Sequence, residues 1–200
     1  MQFKHFAKPI ARCLMFALLA IGGSTGNAQS GEPAVTSYGV ENADAPPELR
    51  LFSFLVGKWE GTAEAPMPDG RIVEVKLKWI GRYILDGMAI ADELHAEISG
   101  ETPYLGISFF GFDPVARTWT VEYLNVTGSF LRQQVNGRSG TVTQEGNTVV
   151  VTDPGDGDQV AREEYRRSGD DHFTYVFFMS DDGGKTWGEP MFEYELERIE

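Results

Sequence analysis

Two segments near opposite ends of the chain constrain its fold more than anything between them. Phe54-Leu-Val-Gly-Lys-Trp-Glu-Gly61 carries a Gly-x-Trp step into an extended run, and Phe192-Glu-Tyr-Glu-Leu-Glu-Arg198 alternates strictly and ends on arginine. In an extended chain, successive side chains point to opposite faces. If Trp59 faces inward, so do Gly57, Gly61 and Ala63. If Phe192, Tyr194 and Leu196 face inward, so does Arg198. An inward arginine at the end of a sheet needs a partner, and an indole face provides one worth roughly 0.5–2 kcal/mol. The spacing therefore predicts that the first and last strands lie side by side. Gly57, Trp59 and Arg198 would then be a structural bolt that closes an antiparallel barrel. A small closed barrel holds either a packed core or a cavity for one small ligand.

The middle of the chain repeats the period of two. Val73, Val75, Leu77 and Trp79 alternate with Glu74, Lys76 and Lys78, and Trp119, Val121 and Tyr123 alternate with Thr120 and Glu122. Phe173, Tyr175, Phe177 and Met179 alternate with Thr174, Val176 and Phe178, so that run is apolar on both faces near its end. Turn signals such as Pro68-Asp69-Gly70, Asn136-Gly137, Pro154-Gly155-Asp156-Gly157 and Asp182-Gly183-Gly184 separate such runs. Short alternating runs joined by tight turns make hairpins, and hairpins in series make a meander. The pattern predicts about ten strands over residues 48–200. No long helical period follows Val56, which excludes βαβ units. The fold class is all-β, a single antiparallel up-and-down barrel. Ahead of it, Pro46-Pro47 opens a short helical turn with Leu51, Phe54 and Leu55 on one face. Such a turn could plug the barrel mouth.

Residues 1–28 read as a signal peptide. Lys4, Lys8 and Arg12 make a basic start, Cys13 to Ile21 is apolar, and Gly26-Asn27-Ala28 supplies small residues for cleavage. The apolar run is shorter than the roughly 20 residues of a spanning helix. Export to the periplasm or beyond is therefore expected, with no membrane insertion after cleavage. Cleavage leaves 172 residues, moves the net charge from −13 to −16 and removes Cys13, the only cysteine. The exported chain then has no disulfide and must rely on its core. Residues 29–47 lack periodicity and read as a flexible lead-in. The acidic balance argues against nucleic acid, whose phosphates need lysine and arginine, and against anionic lipid surfaces.

Gly57-x-Trp59 on the first strand with Arg198 on the last resembles the lipocalin and fatty-acid-binding superfamily, the calycins. The wider run Leu51 to Gly61, with Pro68-Asp-Gly70 and Asp182-Gly-Gly-Lys-Thr-Trp187, resembles a bacterial exported domain family of unknown function with a calycin-like barrel. That resemblance covers residues 48–200. It implies a ligand-holding barrel and no particular activity. Ser180 to Trp187 also resembles the Asp-box of sialidases and related propellers. There the motif recurs once per blade; here it occurs once, in a chain too short for a propeller. It reads as a turn lock, with Asp182 capping backbone N–H groups and Trp187 covering the turn.

Residues that could carry chemistry are few. Haem barrels of the nitrobindin kind also begin with a Gly-x-Trp strand and use one inward histidine on the iron. Only His95 and His172 remain after export, and neither stands in a haem motif. No cofactor is therefore expected, with haem the alternative. Asp153, Asp156 and Asp158 surround two glycines but miss the EF-hand spacing, and zinc lacks ligands, so no metal site is expected. The candidate ligand lining is Trp79, Phe109, Trp119, Tyr123, Phe130, Tyr175 and Phe177, with Arg132 and Gln134 as polar contacts. The leading expectation is an exported barrel that binds a small apolar or amphipathic molecule. One alternative is a cyclase, isomerase or lyase in which Arg132, Glu163 or Tyr165 moves a proton or holds an anion. The other is an envelope protein that contacts partners through its acidic strand faces.

Overall fold

A computed structural model describes residues 38–66, 71–98, 101–127, 130–133, 140–155 and 157–200. One 3-10 helix, Pro47–Leu55, precedes eleven strands. They are β1 Gly57–Pro66, β2 Ile72–Ile84, β3 Ala89–Ile98, β4 Glu101–Asp113, β5 Thr118–Thr127 and β6 Phe130–Gln133, then β7 Thr141–Glu145, β8 Thr148–Pro154, β9 Val160–Arg167, β10 His172–Ser180 and β11 Phe192–Arg198. All are paired antiparallel in one sheet, ordered β6-β5-β4-β3-β2-β1-β11-β10-β9-β8-β7. The barrel is thus joined between its first and last strands. The ends of the sheet are β6 and β7, and among the described residues no ladder joins them.

The expected junction is present. Trp59 pairs with Arg198 across β1 and β11, and the guanidinium lies 4.1 Å over the indole. Arg198 also donates to the carbonyls of Val56 at 2.7 Å and Phe54 at 2.9 Å. Those carbonyls lie at the end of the 3-10 helix, where carbonyls lack partners of their own. The indole N–H of Trp59 donates to Leu55 O at 3.0 Å. One arginine and one tryptophan therefore tie the helix end, the first strand and the last strand together.

Pro47 opens the helix with its fixed φ, and Val56 ends it in extended backbone. The buried face matches the expected one in part: Phe54 and Leu55 are buried, and Leu49 and Phe52 join them. Leu49, Phe52 and Leu55 are buried, and Leu51 is half-buried. The additions follow from the helix type: three residues per turn stack i, i+3 and i+6, which aligns Leu49, Phe52 and Leu55. Phe52 enters the barrel, stacks on Phe110 at 4.1 Å and meets Trp119 edge-on at 5.2 Å. Tyr165 and Phe173 meet Phe54 edge-on at 6.1 and 5.5 Å. The helix closes this end of the barrel with its own side chains.

Two glycines allow close approach at the junction, Gly57 to the C-terminal residues and Gly81 to the helix end. Gly57 has φ +128°, and a Cβ there would lie 2.5 Å from both Arg198 Nη1 and Glu200 O. A Cβ on Gly81 would lie 2.0 Å from Leu55 O. Gly57→Ala is expected to cost about 2–4 kcal/mol, from left-handed backbone strain and overpacking. Urea unfolding measures it, and a loss under about 0.5 kcal/mol would mean that the junction yields easily.

Candidate functional site

The interior face is set by alternation: odd positions on β1, β2 and β5, even positions on β3 and β4. At the helix end this face is solid. Trp59, Trp79, Ile90, Phe110, Phe173 and Leu196 are all buried there. Further along the same strands the inward phase continues, but the side chains become accessible. Ala63 on β1, Leu94 and Ala96 on β3, Tyr123 on β5, Tyr175 on β10 and Tyr194 on β11 are each half-buried. Side chains that point into a barrel can be reached by solvent only where the barrel is not filled. One half of the interior is therefore packed, and toward the other end its inward side chains stay partly accessible.

Two enclosed carboxyl groups lie near the boundary between these halves, and the charge of one acts on the other. Asp92 lies in the inward phase of β3, between Ile90 and Leu94, and is 1% exposed. Its cross-strand partner is Ser108. Burial pushes its pKa up to about 7, against the hydrogen bonds from Ser108 and the pull of the nearby Trp79 indole, and the charge on Glu163 adds to the rise. The indole favours charge on Asp92, yet neither Trp79 Nε1 nor Asp92 Oδ2 reaches hydrogen-bond geometry with any partner.

Glu163 on β9 is enclosed by protein but keeps some accessible surface. Burial raises its pKa to about 7, opposed by hydrogen bonds from Tyr165 and Tyr175. The Tyr165 hydroxyl donates to Glu163 Oε2 at 3.1 Å. Burial, with the charge of Glu163, holds both tyrosines well above their ordinary pKa, so they stay protonated donors. Tyr104, hydrogen-bonded to Asn125, and Tyr194 are also raised by burial. The rings form a continuous aromatic wall: Trp79 to Tyr175 at 5.2 Å, Tyr165 to Tyr175 at 5.3 Å and Tyr175 to Tyr194 at 5.8 Å.

The residues expected to line a ligand divide between these regions. Tyr123, Tyr175 and Phe177 face the accessible half, and Trp79 lies at its floor. Trp119 belongs instead to the packed half, edge-on to Phe52 and Phe112, both at 5.2 Å. Phe109 is corrected to the outer face. It pairs with Ala91 and Glu122, one step out of phase with inward Ser108 and Phe110. Phe130 and Arg132 lie on β6, where their backbones pair with Thr127 and Asn125, and their side chains fall outside the described residues. Gln134 lies outside them altogether. Of the proton-transfer candidates, Glu163 and Tyr165 are brought together.

His95 is on the outer face of β3, 3.4 Å from Glu93. His172 pairs with Glu197, out of phase with inward Phe173, and is hydrogen-bonded to Ser168. Neither is placed to ligate a haem held inside. Among the described residues no group of three potential metal ligands gathers; Asp156 of the acidic turn lies outside them. The Ser180–Trp187 segment is a tied turn. Asp182 accepts from the N–H groups of Lys185 and Thr186 at 3.0 Å and from the Thr186 hydroxyl at 2.6 Å. These bonds hold its carboxyl far below the ordinary range.

Sequence reasoning does not single out Asp92, Ser108, Tyr104, Asn125 or Tyr194 as site residues. Asp92 does carry a readable signal: it shares the phase of Ile90, Leu94, Ala96 and Ile98, a lone carboxylate on an apolar face.

Several solved structures are similar to this chain. Rv2717c from M. tuberculosis is 18% identical, with 78% of this chain and 100% of that one covered, at a TM-score of 0.48. The S-type phycobiliprotein lyase CPES from Guillardia theta is 14% identical, over 76% and 92% of the two chains, at 0.43. EF1p2_mFAP2b, solved bound to DFHBI, is 13% identical, over 74% and 97%, at 0.30. A search of the curated proteins found no match. Residues 46–198, which span the helix and all eleven strands, match one protein family, and the chain belongs to it: DUF1579, a family of proteins of unknown function.

Proposed function

We propose that this protein binds a small amphipathic molecule in the accessible half of its barrel, and that it does so outside the cytoplasm. The observation that carries the first part is the two-part interior. The helix and its aromatic contacts seal one end, while inward side chains at the other end remain reachable and surround a polar floor. Such a site, apolar walls with a few convergent polar groups, is what holds small ligands. The second part rests on the N-terminal sequence, with its basic start, apolar centre and small residues before position 29.

Native mass spectrometry of the protein taken from its own host is expected to show a retained small molecule. Filling the cavity is the complementary test. Ala96 is small, inward and half-buried on β3. Ala96→Trp is expected to weaken binding of a fluorescent apolar probe at least tenfold while the far-ultraviolet dichroism stays that of a barrel. Unchanged probe affinity would place the ligand elsewhere.

A second reading has one specific observation in its favour. Glu163 titrates near neutrality and is in hydrogen-bond contact with Tyr165, as a proton-transfer group would be. On this reading the barrel isomerises or cyclises its ligand. Any turnover found with the retained molecule must then fall by a factor of about 100 or more in Glu163→Gln. Full activity in both Glu163→Gln and Tyr165→Phe removes that reading and leaves binding alone.

A further inference from the structure

The inward face of β10 and β11 is apolar and ring-bearing from the packed end to the open rim. In register along the two strands come Phe173 opposite Leu196, Tyr175 opposite Tyr194 and Phe177 opposite Phe192. The first pair is fully buried, Tyr175 and Tyr194 are half-buried, and Phe192 at the rim is 48% exposed. The rings follow one another: Tyr175 lies 5.8 Å from Tyr194, Tyr194 6.0 Å from Phe192 and Phe192 5.9 Å from Phe177. Met191, 58% exposed, donates its N–H to Phe177 O at 2.8 Å and so sits at the outer end of this strip. Glu163, the partner of Phe177 on β9, bounds the strip on its polar side. On the other side, β1 carries Ala63 and Ala65 in the inward phase, opposite Val75 and Val73 of β2, and raises nothing bulkier than a methyl group beside the rings. Adjoining apolar side chains left accessible in this way mark a ligand groove more often than a packing surface.

We infer that Phe177, Phe192 and Met191 form an outer subsite for the far end of a linear apolar tail, so that the barrel selects its ligand by tail length. The inference rests on the ligand-binding reading above and adds a specificity to it. From buried Leu196 to Phe192 the strand advances four residues, about 13 Å. A tail shorter than that ends among the tyrosines. A longer one displaces water from Phe192 and Met191, and each methylene so covered adds to the affinity. The thioether of Met191 is flexible and polarisable, which lets it close on a chain without demanding one shape.

Two alcohols test it, 1-hexanol and 1-dodecanol, titrated by calorimetry into the full-length protein. Hexanol falls short of the rim and dodecanol reaches it. The double variant Met191→Ala, Phe192→Ala is expected to weaken dodecanol by a factor of about 5 or more and hexanol by less than a factor of about 2. Met191→Ala alone lies outside the strands and leaves the ladder intact, so its smaller loss, again confined to dodecanol, decides the matter should the double variant lose the dichroism of a barrel. Val115→Ala, which trims an exposed side chain on the β4–β5 turn at the sealed end, is expected to change neither affinity. Equal losses for the two alcohols, or an undiminished affinity for dodecanol, overturn the subsite and leave a barrel that binds without regard to tail length. If the unaltered protein binds neither alcohol, the ligand-binding reading falls, and this one with it.

Discussion

Replacing Arg198 by alanine is expected to destabilise the barrel by about 3–5 kcal/mol, the range for removing one member of a partly buried charged network. Several losses combine. The cation–π contact with Trp59 disappears, at roughly 0.5–2 kcal/mol. The carbonyls of Phe54 and Val56 lose their donor at the end of the 3-10 helix. Each buried acceptor left without a partner costs about 1–3 kcal/mol. A thermal midpoint roughly 10 °C lower follows for a domain of this size. Lysine keeps the charge but cannot span both carbonyls with one planar fork, so Arg198→Lys should recover less than half of the loss. Paired thermal melts of the two variants check this. A loss below about 1 kcal/mol for alanine would show that the strand ladder alone joins β1 to β11.

The same junction marks how much of the fold is legible in the sequence. Trp59 and Arg198 each lie in phase with apolar neighbours, and a period of two by itself assigns both to the interior. That is enough to pair the first strand with the last. It cannot locate the ends of the sheet, which fall between β6 and β7, because both are short and their alternation is weak. A reading of apolar spacing at the α-helical period finds Phe54 and Leu55 on the helix but misses Leu49 and Phe52. Leu49, Phe52 and Leu55 repeat every three residues, a spacing that only a 3-10 turn aligns.

The site is less legible for a different reason. Alternation assigns a residue to a face but does not say how far along the barrel it lies. Trp119 and Tyr123 share a phase on β5, yet one packs against the helix and the other lies toward the accessible end. Bulk alone suggests an inward Phe109, against its phase: Phe110 occupies the inward position and Phe109 the outward one. Asp92 is the converse. Its charge masks its phase, and a carboxylate among Ile90, Leu94 and Ala96 is the position where a reading by polarity alone fails.

That carboxylate and its partner yield the other large effect, a stability that falls as pH rises from about 4 to 7. In the unfolded chain Asp92 and Glu163 ionise near the ordinary carboxylate values, about 4. In the folded protein burial moves both to about 7. Between those limits the folded state holds protons that the unfolded state has released, so each group's contribution is fully present below pH 4 and lost as pH climbs through 7. The shift is worth about 1.4 kcal/mol per unit, or up to about 4 kcal/mol for each group by pH 8. Asp182, whose pKa is lowered, acts in the opposite sense, but only at pH values below the ordinary carboxylate range. The window from 4 to 7 therefore belongs to the raised pair. Asp92→Asn and Glu163→Gln remove the ionisable proton and keep the shape. Each variant should match or fall slightly below the unaltered protein at pH 4.5 and exceed it by about 2–4 kcal/mol at pH 8. Guanidinium unfolding at five pH values would trace the crossing. Curves that run parallel across the window would mean that both carboxyls ionise in the barrel as they do in water.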